Sequence, residues 1–514
     1  MPSLFHPLES PYAETHFKFK LPWSPLYKRW PEIFIDGPSF CLPGAPARFY
    51  LVIKDGDFFP VTIKEVEVLI QGGGGMRKQS FPLSRAILGN LEFLPLLLDV
   101  SGLSGALSIN ARITVEKKNG ATRVFLNANF PGLSPSPLLL RLLSSPLPYP
   151  PDWHAGEMHC HSDYSNDPVE FGAPLAMLQE AGESLGLGFV LCTDHSYDFY
   201  YQKTRYMQPT EPGENFQAYR REALALNASA PTLSLPLLIP GEEVSCGNHL
   251  GENVHLLVAG HEEFLPGLGD GGRRWFNNRP DLKVGEVLER LGSTPCFAAH
   301  PRVQVGMLEK WIFRRGMWHE VDVQPQGGGR GIDGLQFWNG HRGRDFGQGR
   351  SFWVKQLLAG KRLSPIGAND AHGDLNRNIG VKTPLFSLYQ ARSHVFGNVR
   401  TVVRAKEKSI AAIQAGLKAG DLFCTDGPFL SLTREGDAFL LHARSSDDFG
   451  GLEKVQIVAG RSGDSREIPV KEWNWESDGP LEVSERLDCP AGVSYLRAEV
   501  RTAGKRFAMT GPIQ

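Results

Sequence analysis

The stretch GEMHCHSDYSND, residues 156–167, sets His159 and His161 one residue apart at the end of a short apolar run, then adds Asp163 and Asp167. It is too short to be a helix and reads as the end of a strand. One His-x-His carries little weight alone. Its meaning depends on whether distant segments supply partners at comparable positions.

They do. LGFVLCTDH ends in Asp194 and His195, and LPLLIPGEEVS in Glu242 and Glu243. NVHLLVAGH carries His255 at its start and His261 just after it. PCFAAHPR ends in His300, GLQFWNG in Asn339, and SPIGANDAH in Asp370 and His372. With the first run, these make seven candidate strands. Helix-period segments lie between them, such as APLAMLQEAGESLG, where Leu175, Leu178 and Leu185 share a face. Such alternation implies parallel β/α architecture. In a parallel barrel the C-terminal strand ends surround one rim, so residues over 200 positions apart can converge there. Histidines and carboxylates so gathered suit Zn, Mn or Fe, and without a cation they would suffer repulsion and desolvation.

HCHSDYSND, TDH, GEEVS, AHP and NDAH, in this order over residues 155–375, resemble the motif set of the PHP (polymerase and histidinol phosphatase) metal-dependent phosphoesterases. AIQAGLKAGDLFCTDGP, residues 412–428, further resembles a branch that includes carbamate-ester hydrolases. The resemblance implies a distorted (β/α)7 barrel, a TIM-like arrangement, holding two or three divalent ions. It implies that His159, His161 and Asp370 bind a first metal. Glu243 would bridge to a second completed by His255 and His300, and Asp167, His195 and His372 would hold a third. Glu243 is preferred to Glu242 because the family's ligand stands two residues after the glycine, here Gly241. His255 is preferred to His249 because it opens an apolar run, although His249 in its Gly-rich loop stays open as the alternative. Asp194 reads as an orienting acceptor rather than a ligand. His154, His261, His319 and His341 read as surface or loop residues.

The flanks look different. Residues 1–150 read as a β-sandwich-like domain containing only His6 and His16, residues 151–430 as the barrel, and residues 431–514 as a small β domain. In RITVEKKNGATRVFLNA, Asn119-Gly120 predicts a two-residue hairpin turn, with Ile113 and Val115 facing inward and Val124 and Leu126 on the return. QGGGGM at 71–76 lacks a following Lys-Ser/Thr and reads as a turn rather than a phosphate loop. YLRAEVRT near the C-terminus sets Leu496, Ala498 and Val500 against Arg497, Glu499 and Arg501, as an antiparallel strand would.

The bulk composition of the 514 residues, 41% hydrophobic and 21% charged with net charge −2, gives no general drive toward nucleic acid or anionic membrane. No basic start with an apolar run marks a secretory leader, and no stretch approaches the roughly 20 apolar residues of a membrane span. Seven cysteines without a C-x-x-C argue against a disulfide framework, and a reducing cytoplasm fits. Cys192 and Cys296 sit in apolar runs and are expected to be buried.

Three carboxylates and six neutral imidazoles carry −3 against the +6 of three divalent ions, so the centre should attract a small phosphorylated substrate. Metals lower the pKa of bound water toward about 7 and supply hydroxide for attack on phosphorus. Arg302 has two readings, a clamp on a phosphate oxygen and a surface ion pair; Arg342, Arg344 and Arg377 are further candidates. With Glu243 and Asp194, Arg302 completes the expected catalytic set. Two other functions compete: hydrolysis of a carboxylic ester, carbamate or amide, and a non-catalytic metal-bound scaffold whose β domains bind a partner or polysaccharide.

Overall fold

The computed structural model describes residues 29–130, 135–165, 171–271, 278–305, 310–311, 313–324, 329–373, 375–377, 380–382, 387–389, 394–476, 479–488 and 490–514. Asp167, His6 and His16 lie outside them, as do parts of the stretches 261–280 and 323–333, the loops from which substrate specificity is expected to come. The chain mixes α and β structure and is rich in strands.

The N-terminal region pairs two sheets. Strands Glu32–Asp36, Ala47–Lys54 and Leu91–Leu98 form one; the other is six-stranded and centres on Ser104–Lys117 and Val61–Gly73. Alternation explains the arrangement. Val66, Val68 and Ile70 are fully buried and join Ile33, Phe49 and Leu51 of the facing sheet in one apolar cluster. Glu67 points outward and pairs with Lys78 and Arg112. Each buried Val or Ile contributes about 1.5–3 kcal/mol, so the inward set defines the layer.

The hairpin at Asn119-Gly120 exists, with a different register. Lys117 N–H donates to Ala121 O at 2.9 Å, and Gly120 takes φ +82. Three residues, 118–120, therefore lie in the loop instead of two. Ile113 then faces Phe125, and Thr114 faces Val124. Phe125 is the buried residue of the return strand, while Val124 and Leu126 are 40% and 57% exposed. One extra loop residue has turned the return strand over. At 71–76 the Gly run makes the expected turn, with Gly72 paired to Gly75.

All seven central runs form strands, but they do not pair as the closed parallel barrel that the resemblance implies. Hydrogen bonding divides them between two sheets. Trp153–His161, Phe189–Cys192 and Leu237–Pro240 run parallel in a ten-stranded sheet. Glu242–Gly247, Asn253–Val258, Cys296–Ala299, Gly334–Asn339 and Ser364–Ala368 form a five-stranded sheet. In that sheet Asn253–Val258 runs antiparallel to both neighbours, because only a short loop joins it to Glu242–Gly247. The two sheets meet at two seams. At one, Glu243 N–H donates to Asp194 O and Ser196 N–H to Glu243 O, both at 3.0 Å. At the other, Glu157 Oε1 accepts from Asn369 N–H at 3.0 Å.

Helix Leu175–Ser184 buries Leu175 and Leu178 as its period predicts, and Leu185 caps its end. Helix Ile410–Ala419 starts at Ser409, whose hydroxyl accepts from Ala412 N–H, and stops at Gly420 in the left-handed conformation. Beyond it, Leu422–Thr425 pairs with Phe507–Thr510, and Tyr495–Thr502 and Leu452–Gly460 extend the same ten-stranded sheet. Strand pairing thus runs across position 430. Among the described residues, no helix is long and apolar enough to cross a membrane. The six described cysteines, Cys192 and Cys296 included, are free and buried.

Candidate metal centre

Strand ends bring eight of the expected residues to one place. His159 and His161 close the strand Trp153–His161, and His195 follows Phe189–Cys192. Glu243 opens Glu242–Gly247, while His255 lies within the antiparallel strand beside it. His300, Asp370 and His372 follow the strands Cys296–Ala299 and Ser364–Ala368. Seven of them are buried, and the His300 side chain is 9% exposed.

Glu243 is the hub. Its Oε2 lies 2.9 Å from His159 Nε2, 3.4 Å from His161 Nε2 and 3.1 Å from His195 Nδ1. Its Oε1 lies 2.7 Å from His255 Nδ1 and 3.2 Å from His300 Nε2. Asp370 Oδ1 stands 3.2 Å from both His159 Nε2 and His161 Nε2. The His161 and His372 rings stack at 3.9 Å between centroids and 12°.

Two backbones here are left-handed without being glycine, His300 at φ 28 and Asp370 at φ 55. Such conformations cost about 1–3 kcal/mol each and persist where surrounding bonds impose them. Asp370 N–H donates to His159 O at 2.7 Å, and His300 N–H to Gln336 Oε1 at 2.9 Å. Both side chains are thereby turned toward Glu243.

Electrostatics mark the cluster as unbalanced. Burial pushes Glu243 upward, but the imidazoles of His159, His255 and His195 hold its carboxyl well below the usual range. Burial raises Asp370 well above that range. Burial pushes His300 and His372 down to about 4, so both stay neutral at neutral pH. His255 is lowered by burial, yet Asp270 and Glu243 more than offset this and hold it well above its ordinary value.

Three overlapping sets have ligand atoms within 4.8 Å of one another: His161, His195 and His372; His159, His161, Glu243 and Asp370; His195, Glu243 and His255. Neutral imidazole and carboxylate are the donors that borderline divalent metals take. A carboxylate offers about four lone-pair sites and each neutral imidazole one proton. Five imidazoles around one carboxylate, with further rings stacked behind, fit cations better than a hydrogen-bond network.

Around the cluster stand its supports. Asp194 Oδ1 accepts from Ser162 N–H at 2.8 Å and Ser165 Oγ at 2.9 Å, and Oδ2 from Ser162 Oγ at 2.6 Å. It pins the turn after His161, while burial pushes its carboxyl up to about 6 against these bonds. Glu242 points away from Glu243, as strand alternation requires, toward Ser196 Oγ at 2.5 Å and His261 Nε2 at 2.7 Å. His261 is therefore buried instead of at the surface, as its position after a strand suggested.

His249 is not in the cluster. Its half-exposed ring meets Asp322 at 3.2 Å. Arg302 lies with its guanidinium 4.1 Å from the Phe352 ring centroid. Arg342 faces Asp426 at 3.7 Å, and Arg344 opens the helix Arg344–Leu358. Arg377 turns toward the N-terminal region, donating from Nε to Ile35 O at 2.6 Å.

Sequence reading missed several supports. Asp270 Oδ2 stands 2.9 Å from His255 Nε2 and accepts from Arg315 Nε at 3.0 Å, while Oδ1 accepts from Ser245 Oγ at 2.7 Å. A carboxylate on the far nitrogen fixes the tautomer of a ligating imidazole. Asp270 sits in the Gly-rich stretch GLGDGG, which carries no periodic signal. Gln336 was legible in principle, as the lone amide inside the apolar run GLQFWNG. His394, buried with Nδ1 2.7 Å from Asn369 O, has no motif around it.

No family model matches the chain, and no curated protein matches it. Among solved structures, similarity is found to a hypothetical protein from Pyrococcus horikoshii, at 10% identity over 18% of this chain and 89% of that one, TM-score 0.15. A DUF3823 family protein from Bacteroides ovatus is 14% identical over 26% of this chain and 86% of that one, TM-score 0.14. A cycloisomaltooligosaccharide glucanotransferase from Paenibacillus is 10% identical over 94% of this chain and 71% of that one, TM-score 0.17. Scores of this size identify no shared fold.

Proposed function

We propose that the chain is a metal-dependent hydrolase of the PHP type, a phosphoesterase acting on a small phosphorylated compound. The observation that carries this reading is Glu243, with five imidazole nitrogens within 3.4 Å of its two oxygens. His159, His161 and Asp370 would hold one cation, and Glu243 would share it with a second held by His255 and His300. His195 and His372, with Asp167 from outside the described residues, would hold a third. Bound Zn, Mn or Fe supplies a water of lowered pKa and positive charge where the leaving oxygen becomes negative.

The protein's own share is placement. Asp194 holds the turn that follows His161, and Asp270 orients His255. Gln336 and the left-handed backbones of His300 and Asp370 aim those two side chains. Burial excludes bulk water, which strengthens every charge interaction in the pocket. The centre sits where two sheets meet at two seams, with a strand at every expected run.

One observation favours a second reading. Arg302, the expected phosphate clamp, rests on Phe352. Cleavage of a neutral carboxylic or carbamate ester, or of an amide, needs no such clamp. Purified protein supplied with Mn, Zn or Fe is therefore to be assayed against phosphate mono- and diesters beside carboxylic and carbamate esters. Turnover of phosphate esters that His159→Ala abolishes is expected. Turnover confined to neutral esters selects the second reading, and none with any metal leaves the scaffold reading.

A further inference from the structure

We infer that the N-terminal β domain forms part of the metal centre, with Asp36 as a positioning residue for the segment that carries His372. The inference rests on the proposed function and adds to it a role for a region that contributes no ligand.

His372 stacks on His161 at the edge of the central sheets. It ends a two-residue strand, Ala371–His372, paired with Cys160 and His161. Gly373 follows at φ +66, a conformation that leaves the chain free to turn away. Upstream, Asn369 is tied to Glu157. Downstream, the ties go to another domain. Asp36, fully buried at the end of the strand Glu32–Asp36, accepts from Leu375 N–H at 2.8 Å and Asn376 N–H at 3.1 Å. Its Oδ1 also accepts from its neighbour Gly37 N–H at 2.8 Å. Asn376 Nδ2 donates to Leu139 O at 2.7 Å, and Arg377 donates to Ile35 O at 2.6 Å and Ser136 O at 3.0 Å. Three consecutive residues, beginning three positions after His372, are thus moored on the N-terminal sandwich.

The same domain reaches the facing segment. Phe171 packs at 6.5 Å from Phe34 and 6.3 Å from Phe130, with Lys54 Nζ 4.8 Å from its ring centroid. A Cβ on Gly373 would meet Phe171 O at 2.5 Å, so the segments at 171 and 373 touch. The stacked pair His161–His372 is in this way braced from outside the central sheets. Burial pushes the Asp36 carboxyl up to about 7 against these bonds, yet losing a buried acceptor of two N–H groups frees the segment more than losing a surface contact would.

The test uses full-length protein. Asp36→Asn keeps the shape but turns an NH2 group toward backbone N–H donors. Bound Mn is measured by titration and by mass spectrometry of metal content, and folding by circular dichroism. The expected result is an affinity about 10–100-fold weaker for one cation of the set, with the others retained and the fold intact. Unchanged affinity for every cation in a folded variant overturns the inference, as does equal weakening of all the cations with the fold intact. Should Asp36→Asn not fold, Arg377→Met leaves Asp36 in place. It is expected to weaken the same single cation, and unaltered Mn binding in it overturns the inference. Wild-type protein that binds no Mn, Zn or Fe contradicts the proposed function itself, whereas cation-bearing wild type with an unaffected variant contradicts this inference alone.

Discussion

Two regions of the molecule bury ionisable side chains, and they do so on opposite terms. At the C-terminal end of the ten-stranded sheet Arg497, fully buried, pairs with Glu467 at 2.5 Å and with Glu499, which also meets Arg350 at 2.5 Å. Two guanidinium cations face two carboxylates, and Gln456 and Tyr495 fill remaining acceptor positions at 2.7 and 2.9 Å. Burial pushes Glu499 up, but Arg497 and Arg350 bring its carboxyl down to about 2. The network pairs each carboxylate with a guanidinium. Around Glu243 the partners are imidazoles: His300 and His372 stay neutral to about pH 4, while Asp270 and Glu243 hold His255 well above its ordinary value. Burial of charge alone does not mark a functional site. A buried set of imidazole and carboxylate donors whose ligand atoms lie within 4.8 Å of one another is what could hold a cation.

The contrast can be broken in several places. Glu243→Gln removes the hub carboxylate, and the expected cost is about 10³-fold or more in turnover, or about 4 kcal/mol, with loss of bound metal. Steady-state kinetics and metal analysis check it; retention of both would put the two regions on the same footing. Arg497→Met leaves two buried carboxylates short of a partner. It should lower stability by about 3 kcal/mol or more in urea unfolding while leaving metal content unchanged.

Acid should separate the regions as well. Glu499 has its folded pKa depressed from 4.5 to about 2. Its stabilisation, about 3 kcal/mol, is present in full above pH 4.5 and is lost as pH falls toward 2. Among the candidate ligands, His255 and Asp370 are held well above their ordinary values and would have to release protons to a cation, whereas His300 and His372 stay neutral down to about pH 4. Metal uptake followed downward from pH 8 should therefore weaken well before pH 4, and Glu499→Gln should remove only the acid-side slope in stability. The smallest effect is expected from Asp270→Asn, which leaves the ligands in place but frees His255. A metal affinity about 10–100-fold weaker by calorimetric titration is the outcome, and an unchanged affinity would make Asp270 a structural residue of the C-terminal kind.

What could be read from the sequence follows from range. Apolar runs that stop at His, Asp or Glu announce strand ends, and His159, His195, Glu243, His300 and Asp370 were legible on that basis. His255 was preferred to His249 because it opens an apolar run as the family's residue does, with His249 left open, and the structure places the Nδ1 of His255 at Glu243. Register was not legible. One extra residue before Gly120 turned Phe125 inward and Val124 outward, and nothing local distinguishes the two loops. Nor was long-range pairing, such as Leu422–Thr425 with Phe507–Thr510, or the antiparallel turn of Asn253–Val258. Asp270 was missed because a carboxylate in a glycine-rich loop gains its meaning only from the imidazole that folding brings to it.

The most direct measurement is the metal content of full-length protein, dialysed against Mn or Zn and analysed by mass spectrometry, with Glu243→Gln treated in parallel. If the cluster is a metal centre, wild type holds roughly two or three ions per chain and the variant loses most of them. Wild type holding fewer than roughly one ion per ten chains, or the same load in both proteins, would show that six imidazoles and two carboxylates have been buried together for some other reason.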